Sequence, residues 1–430
     1  MLQNDNKFTT MELTKVPDMQ MVVADTTYFP LVDLRAVSDS AHQWVALSVR
    51  LADPAGAAAA GGAPWHAVFD DGELLGAIAP LECIVHLPRP GLLDEALLAL
   101  LPPNRVLLAI DGAALREDGV ARRLAALQAE GYRILIDGGA RAGAATPATL
   151  PAVAHDCADA LARKTPLASL FGPHLAHGVQ TAALFDACGK AGFTWFSGDH
   201  ALQRLPGAGA ADGNAGTGNS GDDDDGTTAR RLLKLLGLLL ADADTRDIET
   251  QLRQDPALCY HLLRLVNSAA FAAATPIHNF AQAIDRLGRR QLLRWLQLLL
   301  YTRSRADGLA NPLLPIAAMR AAQLEYLCKL RGGDRDAQDL AFQVGVFSLL
   351  DVLLDMPMEQ IVAALLLPPD RAGALLERSG VTGQLLALVE TQVSAQRTAA
   401  ALTAQGIAPQ QWWHSQLHGF HWAIQVSRNL

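Results

Sequence analysis

Spacings of four and three residues put His414, His418 and His421 on one face of a helix, where metal ligands can sit. The same residues also suit a C-terminal helix that packs Trp412, Trp413, Phe420 and Trp422 and keeps its histidines along a polar edge. The second reading is preferred, because spacing alone is weak evidence for a metal. Arg286, Arg289, Arg290 and Arg294 also have helical spacing, with Arg303 and Arg305 beyond them. This stripe could dock an acidic protein or a nucleic acid. A net charge of −9 and the lack of a matching aromatic platform favour a solvated or protein-docking face over a nucleic-acid one. Asp222–Asp225 is a solvated charge run: cation loops of the EF-hand kind alternate their ligands and end in Glu. Asn267-Ser268 reads as a turn that satisfies free backbone groups at a helix end.

The elements that carry these residues follow from composition and period. A chain of 430 residues exceeds one ordinary core and suits about two domains. Hydrophobic residues make up 50% and charged residues 18%, a core-forming balance. From Ala229 onward 20 Lys+Arg face 17 Asp+Glu, a net of +3, so the preceding part carries −12. Cys83, Cys157, Cys188, Cys259 and Cys328 form no CxxC pair, which argues against a zinc ribbon or a disulfide framework and for reduced thiols in a cytoplasmic protein. The polar first twenty residues do not resemble a signal peptide. Apolar runs such as Leu232 to Ala241 are too short to span a bilayer.

Residues 1–20 read as a flexible tail. Over residues 21–205 short β-like runs alternate with helical ones. The β-like runs are Met21–Val23, Trp44–Val49, Trp65–Phe69, Cys83–Leu87, Val106–Ile110, Ile134–Ile136 and Thr194–Phe196. The helical ones include Leu92–Leu101, Val120–Glu130 and Val179–Lys190. This alternation predicts an α/β domain with a parallel sheet, open or closed into a barrel. At 185 residues it falls short of the roughly 250 of a full eight-fold barrel, so a strand–helix unit is expected to be trimmed or missing. Residues 206–228, rich in Gly, Ala, Asp and Asn, read as a flexible linker. Residues 229–430 keep a 3.6-residue period throughout and predict an all-α domain.

Two resemblances attach to these segments. Asp255 to Leu300, with its Asp-Pro start, Asn-Ser turn and Ala-Ile-x-x-Leu-Gly step, resembles an HDOD domain, and Ala341 to Pro368 resembles the same domain in EAL–HDOD two-domain proteins. Tyr28–Leu34, Trp44–Arg50, Val106–Asp111, Gly131–Gly139, Gly178–Thr181 and Gly192–Gly198 are more weakly similar to a degenerate EAL domain. EAL phosphodiesterases cleave cyclic di-GMP with two divalent cations held by carboxylates and amides. The resemblance places the expected ligands at Val45, Ala109, Asp137 followed by Gly138, Gln180 and Ser197, which leaves one carboxylate. HD-type hydrolases need an adjacent His-Asp pair, and here Leu350 precedes Asp351.

The expectation is therefore a non-enzymatic bacterial signalling adaptor without metal or other cofactor. It would act through protein partners in cyclic di-GMP-related control of motility, biofilm formation or virulence. No membrane partner is expected. The alternative is a sensor that binds cyclic di-GMP without cleaving it, with Arg50 or Arg141 on phosphate.

Overall fold

A computed structural model describes residues 29–52, 63–70, 72–137, 152–158, 161, 172–203, 231, 234–238, 240–241, 243–252, 260, 282, 289–302, 310–390 and 395–429. Eight strands close into a barrel: β1 (Val32–Ser38), β2 (Trp44–Leu51), β3 (Glu82–Leu87), β4 (Val106–Asp111), β5 (Arg133–Asp137), β6 (Ala152–Asp156), β7 (Leu175–His177) and β8 (Trp195–Ser197). From β2 to β8 each strand runs parallel to the next. Only β1 runs against its neighbours, pairing with β2 in a hairpin and with β8 at the seam. The hairpin turn is tied by Asp39, whose Oδ1 accepts from the Ala41 and Gln43 amides at 2.8 and 3.0 Å. At the seam the Ser197 hydroxyl donates to the Ala36 carbonyl at 3.1 Å.

Side chains alternate across the wall with the two-residue period of a strand. Val37, Ala46, Ile84, Leu107, Ala109, Leu135 and Leu175 fill the lumen as an apolar plug. Leu47, Val49, Cys83, Val85, Leu108, Ile110, Ile134 and Ile136 point outward, beneath α1 (Ala63–Phe69), α2 (Glu73–Ala77), α3 (Glu95–Leu100) and α4 (Val120–Ala129). In α4, Val120, Leu124 and Leu127 form the buried stripe. The helix α5 (Ala182–Lys190) precedes β8 and is capped by Thr181, whose Oγ1 accepts from the Leu184 amide at 3.1 Å.

Two expectations change here and one is sharpened. Trp65–Phe69 is helical rather than β: Pro64 occupies the first turn of α1, and Trp65, Val68 and Phe69 bury one face at spacings of three and four. All eight strand positions are filled, so no strand is missing, and the expected trimming is seen in strands of three residues (β7, β8) and in a β1–β2 turn without a helix. The strands Val32–Ser38, Ala152–Asp156 and Leu175–His177 went unread. Met21–Val23 and the linker 206–228 lie outside the described residues.

After the barrel the described elements are helical: α6 (Thr245–Leu252), α7 (Arg289–Leu299), α8 (Leu313–Leu330), α9 (Arg335–Phe347), α10 (Leu350–Leu354), α11 (Met358–Ala364), α12 (Pro369–Leu376), α13 (Gly380–Glu390), α14 (Ala395–Gln405) and α15 (Pro409–Asn429). Helix α8 is the axis of this half. Its small residues Ala317, Ala318, Ala321 and Ala322 are buried, and α9 crosses so closely that a Cβ on Gly345 would stand 2.5 Å from the Ala321 Cα. The stretch Arg335–Leu354 has the length and mean hydropathy (1.4) of a membrane span, and 50% of it is buried inside the fold. Ala341, Phe342, Val344, Val346 and Phe347 all lie in the helical core.

The two halves share apolar packing. In α15, Trp412, Ala423 and Val426 face the helical core, while Trp413, Leu417, Phe420 and Ile424 join the core around the outer barrel wall. The second set recurs at spacings of four, three and four, a single helical stripe. Phe420 lies against Trp44 with ring centroids 5.6 Å apart, and Trp413 lies 5.9 Å from Phe29. Burying four such side chains is worth roughly 6–12 kcal/mol.

Candidate functional site

The parallel strands β2 to β8 end at one rim of the barrel, and residues of β2, β3 and β7 meet there around Asp137 at the end of β5. Arg50, near the end of β2, donates from Nη2 to Asp137 Oδ2 at 3.0 Å. His177, at the end of β7, bonds from Nε2 to Oδ1 at 2.9 Å. His86, in β3, places Nδ1 3.3 Å from Oδ2, close enough for electrostatic contact though not aligned as a hydrogen bond. Its Nε2 is buried with no hydrogen-bond partner among the described residues.

The electrostatics follow from this arrangement. Burial disfavours the Asp137 charge, but the His177 hydrogen bond, the His86 contact and the Arg50 guanidinium outweigh it and hold the carboxyl well below the usual carboxylate range. Burial pushes the His86 imidazole down to about 4, the Arg50 charge adds to that, and contact with Asp137 offsets it only in part. At neutral pH the rim therefore holds an ionised carboxylate under a guanidinium and a neutral His86.

Such a carboxylate does not suit a pair of divalent cations. Both Asp137 oxygens already face Arg50, His86 or His177. Of the neighbouring carboxylates, Asp111 accepts from the Ala113 amide at 2.8 Å, and Asp156 accepts from the Ala158 amide at 3.1 Å through Oδ1 while its Oδ2 stands 4.0 Å from His177 Nδ1. Among the described residues no group of three or more His, Cys, Asp or Glu is arranged to hold a metal ion. Val45 is the second residue of β2, five before Arg50 and about 16 Å back along the strand, and it packs against the apolar plug. Ala109 is part of that plug. Gln180 and Ser197 instead line a cavity between barrel and helices, and Gly138 lies outside the described residues. Arg50 was legible as a phosphate-facing candidate, but here it neutralises Asp137. His86 and His177 were missed; each stands at or near the end of a strand, the one positional signal that marks them.

In the helical half Leu350 is buried and Asp351 lies in the first turn of α10. Just before them Ser348 accepts from Arg320 Nη1 at 3.1 Å, so a buried arginine approaches this helix end. Of the arginine stripe, only Arg290 and Arg294 have described side chains, and both make ion pairs within the fold. Arg294 donates to Glu325 at 3.2 and 2.5 Å and to Asp339 at 2.8 Å, and lies 4.4 Å from the Phe342 ring centroid. Arg290 pairs with Asp339 at 2.5 Å. These partners are internal because α7 packs on α8 and α9, which carry the acids. Arg286 and the Arg289 side chain lie outside the described residues, as do Arg141, Arg303, Arg305, Asn267-Ser268 and Asp222–Asp225. The three histidines of α15 diverge at the junction of the halves: His414 Nε2 stands 3.7 Å from Glu73, His418 lies over Tyr326 with centroids 5.2 Å apart, and His421 Nδ1 donates to the Ala77 carbonyl at 3.0 Å.

Residues 227–309 match the HDOD domain family, so an HDOD domain opens the helical half. The cyclic di-GMP phosphodiesterase CdgJ of Vibrio cholerae serotype O1 is 35% identical over 145 residues, covering 33% of this chain and 33% of that protein. The uncharacterized protein YuxH of Bacillus subtilis is 29% identical over 141 residues, covering 32% of this chain and 34% of YuxH. The chain thus spans about a third of the length of these curated relatives. Among solved structures, Klebsiella pneumoniae BlrP1 in a manganese and cyclic di-GMP complex aligns over 40% of this chain and 55% of its own, at 17% identity and a TM-score of 0.33. The EAL-like domain protein YdiV aligns over 40% of this chain and 90% of its own, at 17% identity and a TM-score of 0.32.

Proposed function

We propose that this chain, an eight-stranded barrel of EAL-like sequence joined to an HDOD-containing helical half, is a regulatory protein of cyclic di-GMP signalling that does not hydrolyse the dinucleotide. One observation carries the reading: the carboxylate at the centre of the barrel rim, Asp137, is neutralised by Arg50 and flanked by His86 and His177, where in-line attack by a metal-bound water needs several carboxylates around two cations. The name of the Vibrio cholerae relative supports the signalling class. A barrel freed from catalysis retains its outer surface for protein partners, and regulation of motility, biofilm formation or virulence by such contacts is the role we assign.

The test uses the full chain, since the halves share a core. Cyclic di-GMP is incubated with Mg²⁺ or Mn²⁺ and linear product is followed by chromatography. No turnover above the protein-free control is expected. Turnover that disappears in Asp137→Asn would overturn the proposal. A calorimetric titration with cyclic di-GMP on the same sample separates the adaptor, which gives no heat of binding, from a non-catalytic sensor, which gives a saturable isotherm.

A further inference from the structure

A cavity of about 480 Å³ lies where the barrel meets the helices, outside the barrel lumen. That volume is within the range of small-molecule sites, roughly 300–1,000 Å³. The barrel contributes β1, the end of β8 and the short 3₁₀ turn His200–Leu202; the helices contribute α8, the end of α13 and Phe420 of α15. The wall is two-sided. Leu34, Trp44, Ile316, Met319 and Phe420 make an apolar side. Arg320 and Glu390 make a polar end, and Arg35 and Asp199 also reach the lining.

At that end one carboxylate is hydrogen-bonded by two guanidinium groups: Glu390 accepts from Arg378 Nε and Nη2 at 2.7 and 3.0 Å and from Arg320 Nη1 at 3.3 Å. Arg35 is matched by Asp33 at 3.0 Å. Asp199 makes no side-chain cap to the turn it precedes and, exposed to water, adds a smaller favourable charge for Arg320. Arg320 has only 10% of its side chain exposed, and burial weakens its hold on the proton. A desolvated guanidinium that shares its bonded carboxylate with a second guanidinium is costly, and an anion placed beside it relieves that cost.

We infer that the cavity between barrel and helical half is a binding site for a small amphipathic anion, an aromatic body carrying one phosphate, sulfonate or carboxylate group. The anionic group would face Arg320, and the aromatic body would lie against Trp44, Met319 and Phe420. Both halves build the site, so a bound ligand stabilises their packing by mass action. It is separate from the rim around Asp137, and it stands whether or not the barrel turns over a nucleotide.

The probe is 1-anilinonaphthalene-8-sulfonate, an aromatic body with one fixed anionic group, titrated into the full chain and read by fluorescence. One saturable site per chain is expected. Ala201→Trp, on the 3₁₀ turn at the lining, fills the cavity and is expected to weaken binding at least tenfold while near-ultraviolet circular dichroism stays native. Arg320→Gln is expected to weaken it comparably, and the effect should shrink for the uncharged parent N-phenyl-1-naphthylamine. The absence of a saturable site, or an affinity unchanged by Ala201→Trp in a natively folded sample, would overturn the inference.

Discussion

Leu417→Ala tests whether the two halves are one cooperative unit. Leu417 is 3% exposed and sits between Trp413 and Phe420 on the α15 face that belongs to the core around the barrel wall. Truncating a buried Leu costs about 2–5 kcal/mol, the transfer of the lost methyl groups plus the cavity left behind. Native domains hold only about 5–15 kcal/mol in total, so this loss is a large fraction of stability. If α15 belongs energetically to both halves, the cost falls on the barrel although the residue lies some three hundred positions away in sequence. Chemical denaturation followed by far-ultraviolet circular dichroism, together with amide exchange read at β2, β3 and β4, measures it. The expected outcome is one shared transition at lower denaturant and faster exchange in all three strands. Two separate transitions, with the barrel transition and its exchange unmoved by Leu417→Ala, would refute the shared core.

Other consequences follow from the rim and the helical half. His86 is neutral in the fold, with its ionisation pushed down from 6.5 to about 4, so the unfolded chain takes up the proton first as the pH falls. Stability from this group is full above pH 6.5 and is lost between there and about 4, an effect of roughly 3 kcal/mol. His86→Gln should flatten that part of the pH–stability profile. In Gly198→Ala the new Cβ would stand 2.3 Å from the Val179 carbonyl oxygen at a φ of +152°, so a loss of about 1–3 kcal/mol is expected as a lower melting temperature. Arg294→Ala strands Glu325 and leaves Asp339 with Arg290 alone, and should cost about 3 kcal/mol in denaturant unfolding, the behaviour of a structural ion network.

The legible parts of the fold were those governed by local pattern. The parallel strands of β2 to β5 announced themselves as apolar runs because both of their faces are buried. Val120, Leu124 and Leu127 declared α4 by helical spacing. Trp65–Phe69 misled because an aromatic, branched pentapeptide reads equally as a short strand or as a buried helix face, and periodicity over five residues cannot separate them. Strands β7 and β8 are three residues each, and of the two only β8 was read. That all but one of the expected ligand positions lack a carboxylate was legible in the sequence. What surrounds the remaining one was not, because Arg50, His86 and His177 reach Asp137 across 87, 51 and 40 residues of chain.

By itself the sequence determined an α/β part followed by an all-helical part, the loss of all but one carboxylate from the expected ligand positions, and the lack of a His before Asp351. These depend on residue identity and local period, which need no partner. Only the tertiary structure decided that the barrel closes through an antiparallel β1, that Arg290 and Arg294 are engaged internally, and that α15 lays one face on each half. Each of these is a contact between distant segments, set by which apolar faces and which opposite charges meet once the chain is packed. The same packing, on which the sequence is silent, makes the two domains neighbours with a common core and a cavity between them.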